Sequence, residues 1–290
     1  MNLKVHFEIG TMRGTLLRNS ESDARQAEKN AMKRQLFSLV LLVTLVAVPA
    51  TTQTPMNGAN LDPLRRMTAH DFDRLRKLAR GGDPVAANAL GMAYAFGVGT
   101  ERDDVEALHW FQKAADRNLA NAQNNVGVMY QLGRGTPQNA VEAMKWFRKA
   151  AENGDTQGQF DLASAYFNGW GTDQNYEQAL KWYMVLALKD SAQAQNVLGY
   201  MYESGLGVTP DNAEAIKWYR KAAEHSLPLA EHNLAVMYMN GRGVTKDVGE
   251  ALHWFTRASN HGYAPAQKAA EWLVRHRGAE ALSQAKTPPE

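Results

Sequence analysis

The chain has 290 residues, with 32 Lys+Arg against 30 Asp+Glu and no cysteine. Lacking cysteine, it has no disulfide framework, no thiol nucleophile and no cysteine for a lipid anchor. Residues 1–50 hold 7 basic and 4 acidic side chains, so residues 51–290 are close to neutral, with 25 and 26, and the balance gives no support for nucleic-acid binding.

Residues 1–31 are polar, mixed in charge and without periodicity, which is the pattern of a segment that is untranslated or disordered, with translation starting at Met32. Met32-Lys33-Arg34-Gln35 then leads into a largely apolar run over 36–48. A basic start, a short apolar core and small residues at Val48-Pro49-Ala50 read as a secretory signal over 32–50, cut after Ala50. The run is shorter than the ~20 residues of a membrane-spanning helix; an uncleaved inner-membrane anchor at 36–48 is the alternative. Residues 51–67 read as a linker. Export without disulfides suits a bacterial periplasm, or secretion.

From about residue 68 to 277 the chain is periodic. Trp110, Trp146, Trp182, Trp218 and Trp254 stand 36 residues apart, and Tyr94, Tyr130, Tyr166, Tyr202 and Tyr238 keep the same spacing. So do the glycine pairs that begin at Gly97/Gly99. A fixed period of this length marks a repeat architecture.

The first element, DFDRLRKLARGGD (71–83), is a capping helix with Leu75, Leu78 and Ala79 as its inward stripe and Arg74 where a tryptophan would stand. The first full unit is 84–119. Its first helix, PVAANALGMAYAF, starts at Pro84 with Asp83 as cap and ends at Gly97, because glycine takes the left-handed conformation freely. Its second helix, VEALHWFQKAADRN, is amphipathic on Ala107, Leu108, Phe111, Ala114 and Ala115. Gly91, Gly127 and Gly199, with Ala163 and Ala235 at the same position, predict close approach of the paired helices. The tryptophans are expected to fill the wider gap further along. In unit three the usual Lys-Ala-Ala becomes Val185-Leu186-Ala187. After the fifth unit, 264–278 is a sixth first helix without a partner, and 278–290 reads as a disordered tail.

The pattern A-x-x-L-G-x-x-Y-x-x-G-x-G followed by A-x-x-W-[FY]-x-K-A-A, clearest at 125–154 and 196–226, resembles the Sel-1-like repeat (SLR) family, relatives of the tetratricopeptide repeats. The resemblance covers about 83–277. It implies an all-α, right-handed superhelical solenoid of five to six helix-loop-helix repeats. It also implies a protein-binding scaffold, with first helices lining the concave face.

Chemistry is sparse. The G-x-G loops recur five times after helices and lack a following Gly-Lys-[Ser/Thr], so turn formation explains them better than phosphate binding. Asp103/Asp104, Asp173, Asp211 and Asp247 read as caps of second helices. No metal-ligand spacing of histidines and no G-x-S-x-G elbow occurs. The chain therefore predicts no catalytic residue, no metal and no cofactor.

The positions of the first helices that escape the Leu-Gly-Tyr stripe are the candidate partner-binding residues. In register they are Asn88, Asn124, Phe160, Asn196, His232 and Lys268; one turn on come Met92, Val128, Ser164, Tyr200, Val236 and Trp272. A further turn on come Phe96, Leu132, Asn168, Ser204 and Asn240. A row of asparagines suits an extended peptide backbone, and Met92, Tyr200 and Trp272 would anchor side chains. The alternatives are ordinary solvated surface for the asparagines and packing between first helices for Val128 and Val236. The reading is a non-enzymatic periplasmic scaffold for a protein or peptide; alternatives are a peptidoglycan-binding or cell-wall-acting protein and a secreted host-directed effector.

Overall fold

The computed structural model describes residues 69–284, with side chains over 70–275. The expected leader, signal, anchor and linker lie outside the described residues, as does the tail beyond 284.

Twelve helices and no strands make up the described part. A lone helix α1 (Ala69–Arg80) comes first. Five helix pairs follow: α2 (Pro84–Phe96) with α3 (Asp104–Ala115), α4 (Ala120–Leu132) with α5 (Ala140–Glu152), and α6 (Thr156–Asn168) with α7 (Tyr176–Ala187). Next come α8 (Ala192–Ser204) with α9 (Asn212–Glu224) and α10 (Pro228–Asn240) with α11 (Val248–Asn260); α12 (Ala264–Gln284) closes the array. Each helix contacts its neighbours in sequence, and α4 also touches α6. This is a solenoid: each second helix is wedged between the first helix of its own unit and that of the next. No helix among the described residues is long and apolar enough to cross a membrane.

Local chemistry sets the boundaries. Asp83 accepts from the Val85 and Ala86 amides, and Pro84 opens α2. Gly97, Gly133, Gly169, Gly205 and Gly241 close the first helices at φ between 64° and 73°. The second glycine of each pair has a further reason. A methyl group on Gly135 would lie 2.1 Å from the Asp104 carbonyl oxygen, and one on Gly171 2.1 Å from that of Ala140. These glycines let each loop touch the start of the preceding unit's second helix.

The residue after each tryptophan lies deepest in the core, in line with the stripe through Phe111. Phe111, Phe147, Tyr183, Tyr219 and Phe255 are at most 2% exposed. A methyl on Gly91 or Gly127 would lie 2.6 Å from the Phe111 or Phe147 ring. Trp110 and Trp218 are buried and the other three tryptophans half-buried; Lys113, Lys149, Lys221 and Arg257 lie 4.1–4.8 Å from the ring centroids of Trp110, Trp146, Trp218 and Trp254.

The ends also differ from expectation. On α1 the inward residues are Phe72 and Ala79, with Leu75 partly buried, while Leu78 is 49% exposed. Leu78 stands where later units place the core alanines Ala114 and Ala150. At the other end α12 runs to Gln284, through the segment expected to be disordered from 278.

Phe147→Ala is expected to cost about 3–5 kcal/mol, against about 1–2 kcal/mol for Trp146→Ala at its half-buried site. Urea unfolding of the two variants measures this; the reverse order would show that the tryptophans are the core.

Candidate partner-binding face

The first helices present one edge to their successors, and that edge carries the asparagine row. Asn88, Asn124 and Asn196 are 7%, 0% and 3% exposed. Asn125 Nδ2 donates to Asn88 Oδ1 at 2.9 Å, and Asn233 Nδ2 donates to Asn196 Oδ1 at 3.0 Å. The expectation of a solvent-facing row is thus corrected. Adjacent first helices approach closely enough to cover this edge; the two amide pairs bond there, while Asn124 is buried without a regular hydrogen bond. Met92 and Ser164 are buried too, the latter with its Oγ 2.9 Å from the Tyr183 hydroxyl.

Other members keep access to solvent. Phe160 is half-buried, edge-to-face with Tyr183 at 5.5 Å. Tyr200 is half-buried with its ring 6.5 Å from Phe167. His232 is half-buried between Phe255 and Tyr263, both at 5.1 Å, and burial pushes its pKa down to about 4, so it is neutral at pH 7. Lys268, Ser204 and Asn240 are exposed, Leu132 is 56% exposed and Trp272 51%. Tyr200, Val236 and Trp272 share one repeat position and form a row down units four to six, half-buried at the first two and exposed at Trp272. Val128, Val236, Phe96 and Asn168 are half-buried.

Unit three puts a carboxyl in the brace. Asp161 occupies the position of Asn125 and Asn233. It accepts from Gln157 Nε2 at 3.1 Å and lies near the Asn124 amide without a regular hydrogen bond. Some of its surface meets solvent, but the packed helices around it dominate: burial pushes its pKa up to about 7, against the pull of Gln157 and Asn124.

A second ladder escaped the sequence reading. Gln123, Gln159 and Gln195 donate through Nε2 to the Ala115, Ala151 and Ala187 carbonyls at 3.1–3.4 Å. Gln123 and Gln159 accept in turn from Asn153 and Lys189. These bonds tie the end of the preceding second helix to the unit that follows. In unit five the position is Glu231, wholly buried, with Arg257 at 3.1 Å and His261 Nδ1 at 2.8 Å. The signal was available, since glutamine or glutamate recurs at 36-residue spacing.

The aspartates largely behave as expected. Asp103, Asp211 and Asp247 cap α3, α9 and α11. Asp173 does not cap α7; Asn175 does, through the Gln178 amide. Asp104 instead bonds Arg134 of the next loop and Arg102, and the Arg134 hydrogen bond chiefly holds its pKa down to about 2. Among the described residues, no three His, Asp or Glu side chains converge as a metal site would require.

The Sel1 repeat family matches residues 84–119, 120–155, 156–183, 192–227 and 228–263. No curated protein matches the chain. Two solved structures are similar. A protective antigen present in uropathogenic Escherichia coli, with an SLR fold, shares 37% identity and a TM-score of 0.70; the match covers 73% of this chain and 45% of the antigen. This chain thus spans under half the antigen's length. A Sel1 repeat protein from Oxalobacter formigenes shares 32% identity and a TM-score of 0.62, over 70% of this chain and 86% of that one.

Asp161 gives stability a pH dependence. Below about pH 4 the carboxyl is protonated whether the chain is folded or not, and it costs nothing. Between pH 4 and about pH 7 the unfolded chain releases the proton and the folded one keeps it, so stability falls as pH rises. Asp161→Asn is therefore expected to raise the melting temperature at pH 8 and to leave it unchanged below pH 4. An equal gain at both pH values would show that the carboxyl's charge is not the cause.

Proposed function

We propose that this chain, which belongs to the Sel1 repeat family, is a non-enzymatic scaffold that binds a protein or peptide partner along its first-helix face. The observation that carries this reading is the Tyr200–Val236–Trp272 row, continuous with His232, Lys268 and the exposed ends of α8 and α10. A largely apolar, weakly charged strip that runs from half-buried Tyr200 and Val236 to exposed Trp272 has the chemistry of an interface hot spot. Asn88 and Asn196 hold the strip's geometry through the brace, Asn124 is buried beside Asp161, and none of the three contacts the partner. Phe160 contributes at the inner end of the strip, and buried Met92 supports packing.

The signal-like segment at 32–50 supports an exported, periplasmic or secreted chain. The similarity to a protective antigen supports the same address. It also keeps a secreted, host-directed role as the second reading, because one scaffold and one export signal serve both.

The test places a photocrosslinking amino acid at Lys268, beside Trp272, in intact cells. One discrete protein adduct is expected, reduced about tenfold by Tyr200→Ala with Trp272→Ala while the melting temperature is unchanged. An adduct with glycan, or none, removes the protein-scaffold reading.

A further inference from the structure

Among the described residues, α12 is the one first helix with no second helix to close it. In the five complete units that face is shut: Leu90, Val126, Leu162, Leu198 and Leu234 are at most 1% exposed. Ala270 stands at their position and is half-buried, and Val274, one turn on, is 58% exposed. With Leu252, Thr256 and Ser259 of α11 they line an open groove of about 610 Å³. The helix α12 also runs for 21 residues, against 12 or 13 in the others, which gives a long edge for another helix to lie along.

The lining carries two charges, both on α12, and the α11 wall is neutral. Glu271 and Arg275 are 55% and 74% exposed, and their mutual contact is loose at 3.9 Å. Whatever closes the groove must bring a cation to Glu271, a carboxylate to Arg275 and apolar groups to Ala270 and Val274. The aromatic ring of a regular second helix meets neither charge. An antiparallel α12 from a second copy meets both. Glu271 and Arg275 stand two residues on either side of Leu273. A two-fold axis at that level therefore sets each Glu271 against Arg275 of the second copy, twice over. A parallel pairing in register would set glutamate against glutamate. Two-fold pairing is the commonest symmetry of self-association. Here the charges fix the register, and burial of Ala270, Val274 and Leu252 supplies the affinity.

We propose that two copies of this chain pair through α12, antiparallel, with Glu271 and Arg275 joined reciprocally across the two-fold axis. Each copy's last helix then fills the other's groove, in the place that a second helix takes in the complete units. Trp272 lies on the other side of α12 and stays outside the contact, so the dimer carries two first-helix strips.

Sedimentation velocity of the full chain over a wide range of concentration tests this, and a dimer is expected. Glu271→Arg and Arg275→Glu are each expected to weaken it at least about tenfold, because each sets like charges across the axis. Both sites are exposed, so the melting curves stay unchanged. Mixed in equal amounts, the two variants are expected to pair as tightly as the parent, since each then meets its opposite. Tyr200→Ala with Trp272→Ala leaves the dimer intact, which separates this contact from the first-helix strip. A monomer at every concentration overturns the proposal, as do single variants that dimerise like the parent or a mixture no tighter than its components. A dimer lost in Tyr200→Ala/Trp272→Ala also overturns it, and moves the contact to the strip.

Discussion

The ring that follows each tryptophan must reach the backbone of its partner helix, and the other contacts are arranged around that approach. Gly91 and Gly127 leave no room for a methyl group before the Phe111 and Phe147 rings, and Gly199 leaves none before Tyr219. A mid-helix glycine costs about 1 kcal/mol against alanine. The return is a ring buried against backbone, with no gap between helices too short to be stable alone. Units three and five use Ala163 and Ala235 instead, both fully buried, so one methyl is the upper limit of what the approach accepts.

With the helix pairs closed, polar groups do the joining. The asparagine brace links first helix to first helix, and the glutamine ladder links each second helix to the unit after it. Both are buried, where an unpaired amide costs more than a made bond returns. They therefore specify register: a unit shifted by one residue would orphan every rung. Unit three substitutes Asp161 into one ladder and unit five Glu231 into the other. The two carboxyls are handled differently. Glu231 meets Arg257 and His261, whereas Asp161 meets only amides and keeps its proton to about pH 7.

The period of 36 residues made the unit, its caps and its loop legible, because turn glycines, capping aspartates and apolar stripes act locally. Phe111 was legible as a core residue and Trp110 as the residue that broadens its stripe, since adjacent residues on a helix differ by only about a third of a turn and both fit an apolar stripe. The asparagines were misplaced for a different reason. A polar row in register reads equally as a binding strip or as an inter-unit brace, and only the distance between units decides. Trp272 is 51% exposed because, among the described residues, no further helix follows α12 to cover it.

The two ends of the array are finished differently, and α12 shows how. Glu271 stands at the position of Gly91, Gly127, Ala163, Gly199 and Ala235, where a following second helix would press its ring. Its carboxylate accepts from Gln267 and lies 3.9 Å from Arg275. Ala270 and Val274 replace the leucine and tyrosine of the stripe, leaving a shallow groove against Leu252 rather than a seat for an aromatic. A regular second helix would have to bury that charge against an aromatic ring, at a cost of several kcal/mol. Stacking of a further unit is thereby disfavoured at α12, while Trp272, on the other side of the same helix, is 51% exposed on the first-helix face.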